Sequence, residues 1–198
     1  MDRFYWNYKT PGGFTDMVMY SDGTYLTGLV FEKTADGFTN RWWKEKPQSI
    51  TDKESADSSK ASEAAEPVHR LLPAFEDTVR WLDLYFGKDP MTGDFTEQSI
   101  WPDFVPEMKI EGLTPFRRKV IEIMRSIPYG QTMTYGEIAA EIGAPKMSAQ
   151  AVGGAVGWNP ICIIIPCHRV MGAGGKITGY GGGLDNKKAL LKLEGITK

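Results

Sequence analysis

Apolar positions along the chain alternate in short runs near its start and fall at helical spacing further on. Met17-Val18-Met19-Tyr20 and Tyr25-Leu26-Thr27-Gly28-Leu29-Val30-Phe31 are strand-like runs around Ser21-Asp22-Gly23-Thr24. Asp-Gly between two such runs predicts a hairpin, because glycine accepts a positive φ without a Cβ clash. Phe75, Val79, Leu82 and Phe86 then share one face of a helix. Pro73 stands in its first turn, where the missing N–H has no intrahelical partner, and Gly87 ends it. Between these elements, residues 44–66 are rich in Lys, Ser, Glu, Asp and Ala, without apolar periodicity, and read as a solvated loop. Residues 88–111 hold prolines and few periodic positions and read as an extended connector.

A second set of helices follows. Thr114 is a candidate N-cap with Pro115 at the first helical position, and Phe116, Val120, Ile123 and Ile127 repeat at helical spacing until Pro128-Tyr129-Gly130. Thr134-Tyr135-Gly136-Glu137 has the spacing of a capping box and opens a short helix through Ile138, Ala139 and Ile142. Gly143-Ala144-Pro145 is a turn, and Ser148 to Val156 form another short helix full of small residues. Helix, tight turn, helix is the helix-turn-helix pattern. Small residues serve either close approach to a partner surface or close helix packing. Asp185 is a candidate cap for a last helix with Leu190, Leu191 and Leu193 inward, closed by Glu194-Gly195. The expected fold class is α+β. A domain over 1–110, a three-stranded sheet plus a helix, precedes a winged helix-turn-helix-like domain over 112–198.

With 198 residues, 41% hydrophobic and 12% aromatic, the chain has material for two cores. A net charge of −2 conceals an asymmetry: 12 basic and 19 acidic residues precede Glu111, and 11 basic and 6 acidic residues follow from there. A basic C-terminal half is what a polyanion-binding domain requires. The segment Met1 to Asn7 has no apolar signal core, and no apolar run reaches membrane-spanning length. Two cysteines five positions apart make no disulfide framework, and a reducing, cytoplasmic setting suits a free thiol.

The chemistry concentrates in Pro166-Cys167-His168-Arg169-Val170, after the apolar run Ile161-Cys162-Ile163-Ile164-Ile165. An adjacent imidazole and guanidinium favour the thiolate, which is the nucleophilic form. A small apolar cysteine ending a buried strand satisfies the same residues, and the pentapeptide alone leaves both readings open. The longer stretch is more specific. Val152-Gly153-Gly154-Ala155-Val156-Gly157-Trp158-Asn159-Pro160, followed by Ile165-Pro166-Cys167-His168-Arg169-Val170, resembles the methylated-DNA–protein-cysteine methyltransferases, the O6-alkylguanine DNA alkyltransferases. The order of elements matches over roughly residues 112 to 196, with a less specific resemblance in the N-terminal half.

The resemblance implies suicide repair, with a flipped-out O6-alkylguanine (and O4-alkylthymine) in double-stranded DNA giving its alkyl group to the protein. Cys167 matches the alkyl acceptor, His168 the general base acting through a water, and Glu194 the carboxylate that orients the imidazole. Asn159 matches the residue that holds the turn before the active-site segment. Tyr135 matches the tyrosine that serves the flipped base and its phosphate. Tyr180 would pack on the base, the Gly181 amide would meet O6, and the carbonyls of Cys167 and Val170 would accept from the exocyclic amine. Cys162 would lie beside the alkyl pocket, and Arg169 would form a structural ion pair. The helix with Gln150, Ala151 and Gly153 would enter the minor groove, with Arg117 and Lys146 as basic candidates for phosphate contact. The family's arginine before Ala-Val-Gly is Gln150 here, which is shorter and brings no charge. No cofactor, metal or membrane is implied, and a monomer is expected.

Other patterns fall away. Gly172-Ala173-Gly174-Gly175-Lys176-Ile177 lacks the Gly and Ser/Thr positions of a phosphate loop and fits a tight turn. Cys162, Cys167, His168 and His69 lack zinc-finger spacing. A non-catalytic binder of alkylated DNA or a regulator is the first rival, and it is disfavoured by the presence of Cys167. A thiol hydrolase is the second. Adjacent residues on an extended segment point to opposite faces, which disfavours the Cys–His contact it needs.

Overall fold

The computed structural model describes residues 4–32, 48–49, 72–96, 98–144 and 149–197. The chain divides into two compact units, one of Met1–Thr10 with Asp16–Lys109 and one of Pro11–Thr15 with Ile110–Lys198.

In the first unit, β1 (Phe4–Tyr8), β2 (Met17–Ser21) and β3 (Leu26–Phe31) form an antiparallel meander. The two-residue β4 (Gln48–Ser49) adds parallel to β1, giving the order β3-β2-β1-β4. All five residues of β2 are buried, which explains why this central strand reads as nearly continuous apolar sequence. The hairpin turn is built by Asp22, whose carboxylate accepts from the amides of Thr24 (3.1 Å) and Tyr25 (2.9 Å). Helix α1 (Pro73–Phe86) packs on β2 and β3. It buries Phe75, Trp81, Leu82, Tyr85 and Phe86, while Val79 is only half-buried. Gly87 ends it in the left-handed region, and its N–H caps the Asp83 and Leu84 carbonyls. The stretch expected as a connector folds back on this unit. Trp101 stands edge-on to Trp81 with centroids 5.0 Å apart, and the Leu26 amide donates to the Glu107 carbonyl (2.9 Å).

The second unit contains α2 (Pro115–Ser126), α3 (Tyr135–Glu141) and α4 (Ala149–Val156), packed on one another. The Thr114 side chain caps α2 by accepting from the Arg117 amide. The capping box of α3 is complete: Thr134 Oγ1 accepts from the Glu137 amide (3.2 Å), and the Glu137 carboxylate accepts from the Thr134 amide (2.6 Å). Strand β5 (Met133–Thr134) pairs parallel with β6 (Val170–Met171). This ladder sets the start of α3 beside the segment carrying Cys167, because Tyr135 follows β5 directly and Arg169 precedes β6. Helix α5 (Leu184–Leu193) closes the unit.

Four expectations change in the second unit. The run Ile161–Ile165 is not a strand but a tight turn with Ile163 at φ +69°. Cys167, His168 and Arg169 form a 3-10 turn rather than an extended segment. Asp185 is not the cap of α5: Gly183, at φ +89°, occupies that position, and Asp185 lies in the first turn, where its charge complements the helix dipole. Leu193 is half-buried. The segment Pro11–Thr15 belongs to the second unit through Asn186, whose side chain accepts from the Thr15 amide (3.1 Å) and donates to Thr15 Oγ1 (2.8 Å) and the Gly182 carbonyl (2.7 Å). The polar segment 44–66, apart from Gln48–Ser49, lies outside the described residues, as do His69, Pro145, Lys146 and Ser148.

Candidate active site

Two consecutive tight turns carry the thiol. The Ile164 amide donates to the Cys162 carbonyl (2.9 Å), and the Ile165 amide to the Ile161 carbonyl (3.1 Å). An i→i+2 bond around a residue at positive φ is a strained γ-turn, and a β-branched side chain there costs about 1–3 kcal/mol. Ile163 is fully buried, so apolar packing holds it in that conformation. Pro166 then turns the chain again (φ −80°, ψ 60°), with the Cys167 amide donating to the Ile165 carbonyl (2.8 Å).

Asn159 binds this double turn together. Its Oδ1 accepts from the Ile161 amide (3.1 Å), and its Nδ2 donates to the Ile165 carbonyl (2.8 Å) and to Cys167 Sγ (3.0 Å). The residue is buried at the end of α4, so the helix and the thiol segment share one bracket. Cys167 is held below the ordinary thiol range. The neighbouring Cys162 thiol is the first cause; burial opposes, and the Asn159 amide and the Lys187 charge add to the lowering. Cys162 moves the opposite way, raised first by the neighbouring Cys167 and then by burial.

Beside the thiol lies a buried charge cluster. His168 Nε2 stands 2.8 Å from Glu194 Oε1. Arg169 donates through Nε to Oε2 (2.7 Å), through its terminal nitrogen to Oε1 (2.9 Å), and through its other nitrogen to the Ile127 carbonyl (2.7 Å). The ion pair expected for Arg169 is therefore a two-toothed grip on Glu194. The Gly130 amide donates to Glu194 as well (3.3 Å), and Gly130 needs its positive φ of +74°. Burial alone would raise Glu194, but the hydrogen bonds and charges of His168 and then Arg169 bring it down to about 2. Burial lowers His168 more than Glu194 raises it, so the imidazole is neutral. With Nε2–H turned to the carboxylate, Nδ1 is the free acceptor nitrogen, and it has no hydrogen-bond partner among the described residues.

Lys187 was not singled out from the sequence. Its Nζ donates to the carbonyls of Val170 (2.6 Å) and Thr178 (3.0 Å), and the residue is 0% exposed. Among the described residues no carboxylate pairs with it, and burial lowers its pKa while Cys167 raises it. Lys187, Leu190, Leu191 and Glu194 fall at i, i+3, i+4 and i+7 of α5, so the buried stripe of this helix has a cation at one end and an anion at the other. That spacing was the available signal; next to Lys188, Lys187 reads instead as one of two solvated lysines. Replacing Lys187 with Met is expected to cost about 2 kcal/mol, because two buried carbonyls lose their donor, and to raise the Cys167 titration midpoint. Urea unfolding and thiolate absorbance against pH measure the two effects.

The other candidates are distributed around this centre. The Tyr135 ring lies beside Gly153 of α4, where an added Cβ would stand 3.7 Å from it. Gln150, Ala151 and Gly154 are exposed on α4, while Val152, Ala155 and Val156 are buried. Arg117 lies with its guanidinium 4.6 Å from the centroid of the Trp158 ring. Tyr180 is half-buried and Gly181 exposed on the loop before α5. Val170 is buried, and its carbonyl is engaged by Lys187. Among the described residues no group of three or more His, Cys, Asp or Glu could hold a metal, and no helix is long and apolar enough to cross a membrane.

Fold and site together define an α+β protein whose buried thiol lies beside a His–Glu–Arg cluster, behind a short helix of small residues. Comparison with known proteins narrows this class. The model of the 6-O-methylguanine DNA methyltransferase DNA-binding domain matches residues 115–196. A methylated-DNA–protein-cysteine methyltransferase of Haemophilus influenzae is 35% identical over 193 residues, 98% of this chain and 87% of that protein. One from Mycolicibacterium paratuberculosis is 50% identical over 121 residues, 61% of this chain and 66% of its own length. A crystal structure of Mycobacterium tuberculosis OGT in complex with DNA is similar with a TM-score of 0.65 at 34% identity, over 96% of this chain and 92% of that one. The chain belongs to the methylated-DNA–protein-cysteine methyltransferase family.

Proposed function

We propose that this protein repairs double-stranded DNA by moving an alkyl group from guanine O6 to its own Cys167, once per molecule. The observation that carries the reading is the thiol itself: a buried sulfur that accepts from the Asn159 side chain (3.0 Å) and is held below the ordinary thiol range, a pattern suited to a thiolate. A sulfur anion attacks the sp3 carbon on O6. The S–C bond forms, the C–O6 bond breaks, and the electron pair stays on guanine. The proton that left Cys167 passes through a water to Nδ1 of neutral His168, and Glu194 stabilises the imidazolium. Tyr135 protonates guanine N3 as the base leaves. The thioether is stable and nothing in the site regenerates the thiol, so the protein is consumed. O4-alkylthymine presents the same kind of carbon and is a second substrate.

The unit holding α2 to α5 is the DNA-binding and acceptor domain in this reading, and the sheet unit is mainly structural. The exposed small residues of α4 support close approach to a minor groove, with the target base flipped toward Tyr180 and Gly181. The Lys187 bond to the Val170 carbonyl fixes that wall of the base pocket and leaves the oxygen one further acceptor site for the exocyclic amine. Gln150, in place of an arginine, would fill the gap left by the base without adding charge. Arg117, stacked on Trp158, is less free to reach a phosphate than an extended arginine. The protein acts as a cytoplasmic monomer in this account.

Titrating an O6-methylguanine duplex against a fixed amount of protein tests the reading. Loss of the lesion should stop at one equivalent; continued release of product would overturn it in favour of a turnover thiol hydrolase. Gln150→Arg should tighten DNA binding and steepen the slope of log K against log salt by about 0.9, the value for one more neutralised phosphate. An unchanged slope would mean that residue 150 does not face DNA.

A further inference from the structure

Asn186 is a buried polar side chain that the reaction above leaves unused; it is 6% exposed, in the first turn of α5. Its Oδ1 accepts from the Thr15 amide (3.1 Å), and its Nδ2 donates to Thr15 Oγ1 (2.8 Å) and to the Gly182 carbonyl (2.7 Å). Both amide hydrogens are therefore used, one on each side of a junction. On one side is the turn Tyr180–Gly183, closed by the Gly183 amide donating to the Tyr180 carbonyl (3.0 Å). Gly181, Gly182 and Gly183 follow one another there, and glycine loses more conformational freedom on ordering than any other residue. A Cβ at Gly181 would meet no described atom within 4 Å, so close packing does not hold that residue either. On the other side is the loop joining β1 to β2. Its neck is clasped by Asp16, whose Oδ1 accepts from the Thr10 amide (3.2 Å). Its tip turns with the Phe14 amide donating to the Pro11 carbonyl (3.4 Å), and the Pro11–Thr15 segment so shaped belongs to the second unit.

We propose that Asn186 is a positioning residue for alkyl transfer: it ties the Tyr180–Gly183 turn to the Pro11–Thr15 segment and so holds ready the wall against which the flipped base lies. The proposal rests on the reading of Tyr180 and Gly181 as that wall. Asn186 acts through the Gly182 carbonyl and makes no bond to the base itself. An untied turn has to be ordered at the moment the base enters, and that cost falls on transfer from DNA. The thiol is bracketed separately by Asn159, so its own reactivity does not depend on the tie.

In Asn186→Ala the second-order rate constant for methyl transfer from an O6-methylguanine duplex should fall about tenfold, the effect of losing one to two net hydrogen bonds. Alkylation of Cys167 by iodoacetamide, which needs no base pocket, should stay within about twofold of the parent. Asn186→Asp keeps acceptors for the Thr15 amide and hydroxyl but has no donor for Gly182, and it should lose as much as the alanine variant. Thr15→Val keeps the amide and the shape and loses only Oγ1, with an expected fall of about threefold. The Gly183 amide, which Asn186 does not touch, should exchange its hydrogen about tenfold faster in Asn186→Ala. Unchanged transfer in Asn186→Ala would overturn the proposal. So would a fall accompanied by faster iodoacetamide alkylation, which would indicate loosening of the whole unit. Amide exchange needs no DNA. A parent protein that fails to take methyl from DNA therefore counts against the acceptor reading, and unchanged Gly183 exchange in Asn186→Ala counts against the tie.

Discussion

Glu194→Gln is expected to lower the free energy of unfolding by about 3–5 kcal/mol, the usual cost of removing one partner from a buried ion pair. The variant removes the carboxylate gripped by the Arg169 guanidinium, which is 1% exposed and also donates to the Ile127 carbonyl. Because the folded-state value of Glu194 is depressed to about 2, its contribution is fully present above the unfolded carboxylate range, near 4.5. It is lost as pH falls from there toward 2. His168 acts in the same direction: its pKa is lowered by burial, so stability declines as pH drops below 6.5, where the unfolded imidazole takes a proton. The parent protein should therefore show a steep acid limb, and Glu194→Gln a lower and flatter one. Loss of the carboxylate also removes what raises the His168 pKa, so the imidazole becomes a weaker base and alkyl transfer slows. Urea unfolding from pH 3 to 8 measures this. A loss under about 1 kcal/mol would show that Arg169 finds another anion.

Cys167→Ala carries the largest functional effect. Transfer should be abolished, with no methylated protein at any time, while affinity for an O6-methylguanine duplex stays within about threefold. Positioning contacts to DNA come from backbone and surface side chains, and the buried thiol is not among them. The variant also leaves Lys187 without the anion that raises its pKa, so it tests the charge balance of the site. Residual stoichiometric transfer by Cys167→Ala would place the acceptor elsewhere, with Cys162 as the first position to examine.

What was legible in the sequence was local. The capping box at Thr134 and Glu137, the Thr114-Pro115 start and the Asp22-Gly23 turn are encoded within four residues, and the structure forms each of them. The family motif marked Cys167, His168, Asn159 and Glu194, which the structure brings into one buried centre. What was hidden depends on tertiary packing. An apolar run such as Ile161–Ile165 fits a strand or any buried segment, and nothing in it announces that Ile163 takes a left-handed turn. Lys187 is solvated on propensity and buried by its position on the α5 stripe. Thr15 and Asn186 pair across 171 positions, a separation over which no local pattern carries.

The most direct test of the central claim is an intact-mass spectrum after incubation with duplex DNA containing O6-methylguanine, followed by peptide mapping. The account predicts a gain of one methylene unit, located on Cys167 and saturating at one per protein. A lesion that is bound and left unmodified, or a methyl group mapped to any other residue, would contradict it.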